Sequence, residues 1–313
     1  MSGLRLSTLG RGLATIGAAG LSVVTAAAVH ARFISPYRPR LEEILIPVPV
    51  GHDSLAGLRI GFVTDTHLGP SMSSEEIERA FWLMEATQLD LLLFGGDFIS
   101  ESPRLAEPAA ALLGALASRT RYGGLAVLGN HDIAMDGDRM RRALETVNIP
   151  VLRNQSVRVA TDRGPLWIAG VDETMLGRPN VNATFATIPN RAAVIALWHE
   201  PDFARATAER GAFLQLSGHS HGGQIRIPMF GAPATPAGGQ SFVRGLYTID
   251  GMPVYTSRGV GLYRPPVRFR CPPEVSLVTL VSSELDAKRR EVLHLSPLRE
   301  FATRADFYAP ERR

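Results

Sequence analysis

The first half of the chain alternates between two patterns of hydrophobic and polar positions. Short runs that are mainly apolar lie at 58–64, 90–94 and 124–128 and are typical of strands buried on both faces. Between them lie segments with the helical period, after a capping box at Ser73 and Glu76 and at 108–117 and 139–147. The clearest apolar stripe of the first helix consists of Ile77, Ala80, Phe81 and Met84. The order β-α-β-α-β-α predicts an α/β fold with parallel strands and helices on the sheet faces.

After Pro150 the pattern becomes that of short strands with little helix. We predict strands at 157–160, 166–171, 193–198, 212–216, 224–227, 253–257 and 275–281. A short helix at 202–210 interrupts this series. The second half should therefore add mainly β-structure to the parallel sheet of the first.

The N-terminal region differs from the rest of the chain. Gly12 to Val29 carries no charge, follows Arg5 and Arg11, and precedes a proline-rich linker. As a helix it would reach about 27 Å, close to the hydrocarbon core of about 30 Å. We predict a membrane-targeting segment, favouring a retained anchor over a cleaved signal peptide. The folded domain is favoured outside the cytoplasm, although arginines flank both ends of the segment and leave its orientation open.

Composition removes several classes of function. The apolar fraction of 45% and the charged fraction of 20% are ordinary for a globular protein, and the net charge of +3 is not concentrated in one block, so no nucleic-acid partner is expected. The single cysteine, Cys271, excludes an intramolecular disulfide and a cysteine-built metal site. The only lysine, Lys288, is not in a phosphate-binding P-loop. The oligomeric state stays open.

Polar residues follow five of the predicted strands. The clusters are Asp65-Thr66-His67, Gly95-Gly96-Asp97, Gly129-Asn130-His131-Asp132, His199 and Gly218-His219-Ser220-His221. Ligands of open α/β sheets bind outside the carboxyl ends of the strands. We therefore expect the five clusters to meet in one crevice.

The residue types in these clusters suit metal ions. Asp65 and His67 are two residues apart, which puts a carboxylate and an imidazole on one side of extended chain. Asp97 can give one oxygen to each of two ions; the remaining donors are Asn130, His199, His219 and His221. Nitrogen and oxygen ligands without thiolate suit Mn, Fe, Zn or Co better than Mg. Two such ions about 3.5–4 Å apart would bind a phosphate ester and hold a bridging hydroxide for in-line attack on phosphorus.

These five clusters, in this order, resemble the full signature of the calcineurin-like metallophosphoesterases over about residues 41–282. The resemblance implies a four-layer αββα sandwich, with residues 1–40 as membrane segment and linker and residues 283–313 as a charged tail. It also implies one metal ion bound by Asp65, His67, Asp97 and His221, and a second bound by Asp97, Asn130, His199 and His219. His131 would be the general acid that protonates the leaving oxygen.

Three further stretches resemble the membrane-associated bacterial phosphodiesterases of that family, namely 222–224, 257–261 and 268–274. This branch includes enzymes that cleave a lipid-linked UDP-sugar pyrophosphate. The resemblance implies a phosphodiester, phosphomonoester or pyrophosphate substrate, small or lipid-linked. The role of Asp132 stays open, since it either orients His131 or stabilises the turn. Four arginines either bind a second phosphate or are surface residues, namely Arg244, Arg258, Arg264 and Arg268.

Two alternatives compete with this interpretation. Gly218 to Gly222 fits G-x-S-x-G, which would make Ser220 the nucleophile of an α/β-type serine hydrolase. That site needs a helix directly after the serine, whereas Gly-Gly-Gln and then several prolines follow. The other alternative is a non-catalytic metal-binding protein on the same fold, but its ligand set would be expected to be broken. The complete set of donors favours the phosphoesterase.

Overall fold

The computed structural model describes residues 21–284 except Val23, and these residues form two β-sheets packed face to face. The strands are β1 (Arg40–Pro47), β2 (Arg59–Val63), β3 (Leu91–Phe94), β4 (Gly124–Ala126), β5 (Gln155–Thr161), β6 (Gly164–Gly170), β7 (Val194–Leu197), β8 (Leu214–Ser217), β9 (Gly245–Ile249), β10 (Met252–Thr256) and β11 (Glu274–Val281). The first sheet has the order β1-β11-β2-β3-β4 and the second the order β5-β6-β7-β8-β10-β9.

Each sheet has parallel strands at its centre. In the first, β2, β3 and β4 run parallel, as the alternating pattern predicted, while β11 lies antiparallel to β2 and parallel to β1. In the second, β6, β7, β8 and β10 run parallel, and antiparallel hairpins add β5 and β9 at the edges. The carboxyl ends of the parallel strands form one edge in each sheet.

Helices cover the outer faces of both sheets. They are α1 (Ser74–Glu85), α2 (Ala106–Ala117), α3 (Asn130–Thr146), α4 (Val181–Phe185) and α5 (Ala204–Ala208). One apolar cluster joins α1, α2 and α3 to the first sheet, a second lies between the sheets, and a third joins the second sheet to α4 and α5. The architecture is therefore the expected four-layer αββα sandwich.

The predicted capping box of α1 is present. The Ser73 hydroxyl accepts a hydrogen bond from the Glu76 N–H group, and the Glu76 carboxylate accepts one from the Ser73 N–H group. The buried residues of this helix are those of the predicted stripe, Ile77, Ala80, Phe81 and Met84. Local capping and the burial of one face thus agree at this helix.

Helix α3 begins much earlier than the sequence pattern predicted. It starts at Asn130 rather than Arg139 and bends at Asp136, where the backbone is extended (φ −177, ψ 86). The Asp132 carboxylate accepts a hydrogen bond from the Gly129 N–H group at 3.0 Å and so caps the first turn. Because this first turn carries polar residues toward the site instead of an apolar stripe, hydrophobic periodicity did not indicate it.

The predicted strand at 224–227 is wrong. Ile225 makes only an isolated bridge with Phe269, and Gln224 has a left-handed backbone (φ 51) that ends any extended run. Conversely, β9 forms at the edge of the sheet where no strand was predicted, since its residues alternate between half-buried and exposed. β1 also forms where the sequence pattern predicted no strand.

The N-terminal and C-terminal predictions fall partly outside the described residues. Of the predicted membrane segment, residues 12–20 and Val23 are not described; 21–22 and 24–29 are helical and continue into a π-helical turn, His30–Ile34. Every helix in the described part of the chain is too short or too polar to cross a bilayer. The predicted tail lies outside the described residues from position 285 onward.

Candidate metal centre

The strand ends of both sheets meet at one site. Asp65 and His67 follow β2, Asp97 follows β3, and His199 and the pair His219 and His221 follow β7 and β8. Asn130 and His131 lie in the first turn of α3 and line the same cavity as Asp97, His219 and His221. The structure therefore brings together all of the side chains that the sequence predicted as metal donors or general acid.

The backbone bends sharply at the donor residues. Five of them adopt the left-handed region that non-glycine residues rarely enter, with φ of 52 at Asp65, 45 at His67, 54 at Asp97, 66 at His219 and 50 at His221. Such conformations cost about 1–3 kcal/mol each and cluster at functional sites, where the surrounding structure holds them. The bends turn the side chains away from the strand direction and into the site.

One group of donors consists of Asp65, His67 and His221. The Nε2 atoms of His67 and His221 are 3.0 Å apart, and His221 Nε2 is 3.5 Å from Asp65 Oδ1. Two donors that bind one ion at about 2.1 Å and at right angles lie about 3.0 Å apart. These spacings fit a single divalent cation among the three side chains.

A second group consists of Asp97, His199 and His219. His199 Nε2 is 3.2 Å from Asp97 Oδ2 and 3.2 Å from His219 Nδ1. Asp97 Oδ2 is also 3.6 Å from His67 Nε2 in the first group. One carboxylate thus stands between the two groups, where a ligand shared by two ions would be.

The ring atoms facing away from the site are held by hydrogen bonds. His67 Nδ1 is 2.7 Å from Ser100 Oγ, His199 Nδ1 is 2.7 Å from the Gly95 carbonyl, and His219 Nε2 is 2.8 Å from the Ala237 carbonyl. Partners of this kind fix the tautomer and orient the other ring nitrogen toward a metal ion. Sequence reasoning missed Ser100, Gly95 and Ala237, because their contacts depend on the tertiary fold.

The side chains present fit divalent cations. The Asn130 Oδ1 atom is buried and has no hydrogen-bond donor within reach among the described residues, as is also true of His221 Nδ1. A buried carbonyl oxygen without a donor is costly unless a cation or a donor satisfies it. Asn130 lines the same cavity as Asp97. The donors are the mixture of oxygen and imidazole nitrogen that transition metals accept.

Burial sets the protonation states of several donors. It lowers the pKa of His67 to about 3 and that of His219 to about 4, so both imidazoles are neutral at pH 7 and keep a lone pair for a metal ion. Burial also raises the pKa of Asp65 to about 7, although His199 counteracts it. A cation in this site would favour the ionised carboxylate.

His199 and Asp97 behave as an ion pair in the metal-free protein. Burial disfavours the charged form of His199, but Asp97 outweighs it and holds the pKa of His199 well above its usual value. Burial likewise disfavours the charge on Asp97, and His199 outweighs it to hold the pKa of Asp97 well below its usual value. Metal binding must displace the proton of His199.

His131 lies on the wall of the site. Its N–H group donates to Asp97 Oδ1 at 2.8 Å, and its ring packs edge-on against the rings of His67 and Tyr263, with centroids 4.8 and 5.0 Å away. The ring is half-buried and lines the cavity. It is therefore within reach of both the donor groups and a molecule in the cavity.

Asp132 takes the turn-stabilising role of its two open alternatives. Its carboxylate accepts hydrogen bonds from the N–H groups of Phe98 at 2.8 Å and Gly129 at 3.0 Å. It thereby joins the start of α3 to the loop that carries Asp97. The aspartate stabilises the backbone of the site rather than the imidazole of His131.

The four arginines after the last motif have different environments. Arg268 is fully buried and donates to the carbonyl groups of Arg258 at 2.7 Å and Gly261 at 2.7 Å. Arg258 forms ion pairs with Glu42 and Glu274. Of the four, Arg264 lines the cavity, and its guanidinium group lies 2.8 Å from Glu101. The sequence could not separate a buried arginine from an exposed one, because all four stand in similar loops.

Arg268 holds a loop against the site. The segment that it binds includes Gly259, where a Cβ atom would come within 2.6 Å of the Asp65 Cβ atom and where φ is +67. Only glycine lets the chain pass so close to Asp65 in this conformation. The buried arginine therefore supports one of the donors from behind.

Ser220 is not placed as a nucleophile. Its hydroxyl donates to the Val243 carbonyl at 2.6 Å and accepts a hydrogen bond from the Gly222 N–H group at 3.2 Å. A three-residue 3-10 turn, His221–Gly223, follows it instead of the helix that an α/β hydrolase requires. Ser220 lets the chain turn between two imidazoles.

A cavity of about 360 Å³ opens above the donors. Its floor is formed by Asp97, Asn130, His219 and His221, and its outer walls come mainly from two loops. The wall residues are largely apolar: Ile225, Pro233, Ala234, Pro236, Tyr263 and Pro265.

Buried carboxylate and imidazole donors at the strand ends of an αββα sandwich define a metal-dependent hydrolase. Comparison with known proteins gives its family: the model of the calcineurin-like phosphoesterases matches residues 58–223. The chain is 33% identical to the metallophosphoesterase YkuE of Bacillus subtilis, over 81% of this chain and 90% of that protein. It is 31% identical to the phosphodiesterase YaeI of Escherichia coli, over 73% of this chain and 84% of that protein. The chain belongs to the calcineurin-like phosphoesterase family and hydrolyses phosphoester bonds at a divalent metal centre.

A more distant relative is named as a membrane protein. The chain is 27% identical to the "Transmembrane protein with metallophosphoesterase domain" of Danio rerio, over 83% of this chain and 61% of that protein.

Proposed function

We propose that the centre holds two transition-metal ions, of Mn, Fe, Zn or Co. Asp65, His67, Asp97 and His221 would bind one, and Asp97, Asn130, His199 and His219 the other. The observation that supports this proposal is the position of Asp97 Oδ2 between the imidazoles of His67 and His199, at 3.6 and 3.2 Å. A carboxylate in this position can reach an ion on each side.

The ions, when bound, lower the pKa of water so that it attacks phosphorus in line, and they offset the charge of the phosphate. The protein supplies the rest of the chemistry. The backbone hydrogen bond to Asp97 holds His131 beside the centre, with its ring open to the cavity. From there His131 donates a proton to the leaving oxygen, which needs an imidazole that is not itself a metal ligand.

Metal analysis of an Asn130→Ala variant tests this proposal, with Asn182→Ala at an exposed position as the matched control. We expect about two ions per chain in the unaltered protein and in the control. Asn130→Ala should bind less metal and turn over bis-p-nitrophenyl phosphate with added Mn²⁺ more slowly. Equal metal content and rate in both variants would contradict the ligand set.

The cavity supports an amphiphilic phosphate ester as substrate, one class of lipid or envelope-related molecule. A polar floor below apolar walls fits a phosphate group joined to an apolar chain. A matched pair of phosphodiesters with the same leaving group, one with a short alkyl chain and one with a long chain, tests this. We expect a lower KM for the long-chain ester below its critical micelle concentration. Equal KM values would point to a small soluble substrate.

We also propose that residues 1–40 attach the protein to a membrane and that the folded unit covers about residues 41–282. The apolar stretch from Gly12 to Val29 and the membrane relative named above support this. β1 begins at Arg40. In cell fractions the full chain should sediment with membranes and be released by detergent but not by salt, and a chain starting at Leu41 should be soluble. Release of the full chain by salt would contradict the proposal that residues 1–40 anchor it in a membrane.

A further inference from the structure

A short apolar hairpin projects from the loop after the last metal motif. Ile227 and Gly231 exchange backbone hydrogen bonds of 2.8 and 2.9 Å and close a tight turn. At its tip Met229 is 95% exposed and Phe230 is 72% exposed, and Ile227 at its base is also exposed. Large apolar side chains next to one another in water are uncommon on soluble proteins and mark a surface that contacts something.

The hairpin stands on the rim of the cavity. The chain leaves the cavity wall at Ile225, forms the hairpin and returns to the wall at Pro233. Whatever the hairpin contacts is therefore next to the opening through which a substrate must enter.

The N-terminal helical stretch reaches the same side of the molecule. Phe269 donates its N–H group to the Gln224 carbonyl at 2.9 Å and accepts one from Arg226 at 3.0 Å, which fixes the base of the hairpin. The adjacent Arg268 N–H group donates to the Ala31 carbonyl at 2.9 Å. One short segment thus binds both the hairpin and the end of the helical stretch, whose exposed apolar residues are Leu21, Val24, Val29 and Phe33.

Arginines dominate the charge of the chain segments that form this surface. Segments 21–41, 211–249 and 251–273 contain arginines but no aspartate or glutamate. Among the arginines in these segments, Arg38, Arg264 and Arg270 are exposed. Arg264 forms an ion pair with Glu101, which belongs to another segment. Arginines around exposed apolar residues are the combination that binds anionic lipid headgroups.

We propose that the hairpin 227–231 inserts its tip into the interfacial region of an anionic phospholipid bilayer. Insertion buries Ile227, Met229 and Phe230 among acyl chains and turns the cavity opening toward the membrane. This contact is distinct from the apolar segment at the N-terminus, which would tether the chain to the membrane at another point. It requires no catalytic turnover.

A label at the tip of the hairpin tests the proposal. The only native cysteine, Cys271, is buried, so Met229→Cys gives a single reactive thiol for the environment-sensitive dye NBD. Phe230→Cys is a second labelled position, and Trp82→Cys, at an exposed aromatic residue of α1, is the matched control. The full chain is mixed with vesicles of phosphatidylglycerol and phosphatidylethanolamine, and with vesicles of phosphatidylcholine alone.

We expect the label at 229 or 230 to shift its emission to the blue with anionic vesicles and to be quenched by brominated acyl chains. The shift should be smaller with phosphatidylcholine, and the label at 82 should stay in water throughout. Three outcomes would overturn the proposal. The label at 229 could remain exposed to water although the protein is bound to vesicles. Alternatively, its emission could shift to the blue without vesicles, with a shift that either grows with protein concentration or is independent of protein concentration. The second would assign the surface to another copy of the chain, and the third to this chain itself. Failure of hydrolysis, which would overturn the proposed function, leaves these readings unaffected.

Discussion

The floor and the rim of the cavity are built on opposite physical principles. The floor and the donors beneath it are charged and polar side chains, most of them almost fully buried at strand ends and several held by hydrogen bonds from behind. The rim consists of apolar side chains on loops, several of them exposed. Buried charge is tolerated only where it is paired or binds metal, whereas loops tolerate variation. The comparison predicts that changes in the floor affect the chemistry and that changes in the rim affect which substrates bind.

The largest expected effect is at the centre of the floor. Asp97→Ala removes the one carboxylate that lies between both donor groups, so we expect the loss of both ions and of measurable hydrolysis. Elemental analysis and turnover of bis-p-nitrophenyl phosphate measure these effects, with Asp162→Ala at an exposed position as control. Full metal content in Asp97→Ala would contradict the role of the floor as the metal-binding part of the cavity.

His131 lies on the wall beside the floor and should not bind metal. We expect His131→Ala to keep both ions and to lose rate by about 10²–10⁴-fold, the usual contribution of a general acid. An alkoxide needs a proton to leave and p-nitrophenolate does not, so alkyl esters should lose more rate than aryl esters. Equal losses of rate on both kinds of ester would argue against His131 as the general acid. A loss of bound metal in His131→Ala would indicate that His131 is a metal ligand.

The hydrogen bonds behind the floor should have a smaller effect. Ser100→Ala removes the partner of His67 Nδ1, and partners of this kind change metal affinity by about 10–100-fold. Titration with Mn²⁺ should show weaker binding but an unchanged maximal rate at saturating metal. Ser118→Ala, an exposed serine on the C-cap of α2, is the control. Unchanged affinity in Ser100→Ala would show that packing alone orients the imidazole.

At the rim we expect changes in KM rather than in kcat. Ile225→Ala removes apolar surface from the cavity wall, so KM for a long-chain phosphodiester should rise by about 10-fold while KM for a short-chain ester stays the same. Steady-state kinetics with the matched pair of esters separates the two. A fall in kcat on both substrates would show that the loop carrying Ile225 contributes to the chemical step.

The smallest effect is expected in the support of the rim. Arg153 forms two hydrogen bonds of 3.0 Å with the Asp172 carboxylate, which precedes the loop carrying Met175 on the cavity wall. Although burial raises the pKa of Asp172, this pair holds it below its usual value, so its contribution to stability is present above the unfolded pKa and is lost as pH falls through the folded pKa. Asp172→Asn should cost about 1–2 kcal/mol at pH 7 and progressively less in acid. Chemical unfolding of both proteins at several pH values measures this difference in the free energy of unfolding. A difference that does not change with pH would show that the charge of Asp172 does not contribute to it.

Much of the floor could be predicted from the sequence, because its donors follow strands whose apolar runs were clear. Asp65, Asp97 and His199 each come directly after such a run, and α/β topology brings their positions together. The first turn of α3 could not be predicted, since its polar residues carry no helical stripe. Nor could the burial of Arg268 or the contact of Ser100 with His67, since both depend on segments far apart in the chain. The exposure of the hairpin at 227–231 follows from tertiary structure alone.

The place of β11 has a consequence for how the protein is made. This last strand lies between β1 and β2, and it is the only described neighbour of β1 in the sheet. β1 must therefore wait for its one described neighbour until residues 274–281 have been synthesised. Domains generally begin to fold from the N-terminal side during translation, and this sheet cannot be completed in that order. Nascent chains stalled before residue 274 should stay open to protease, and chains released after residue 281 should become resistant.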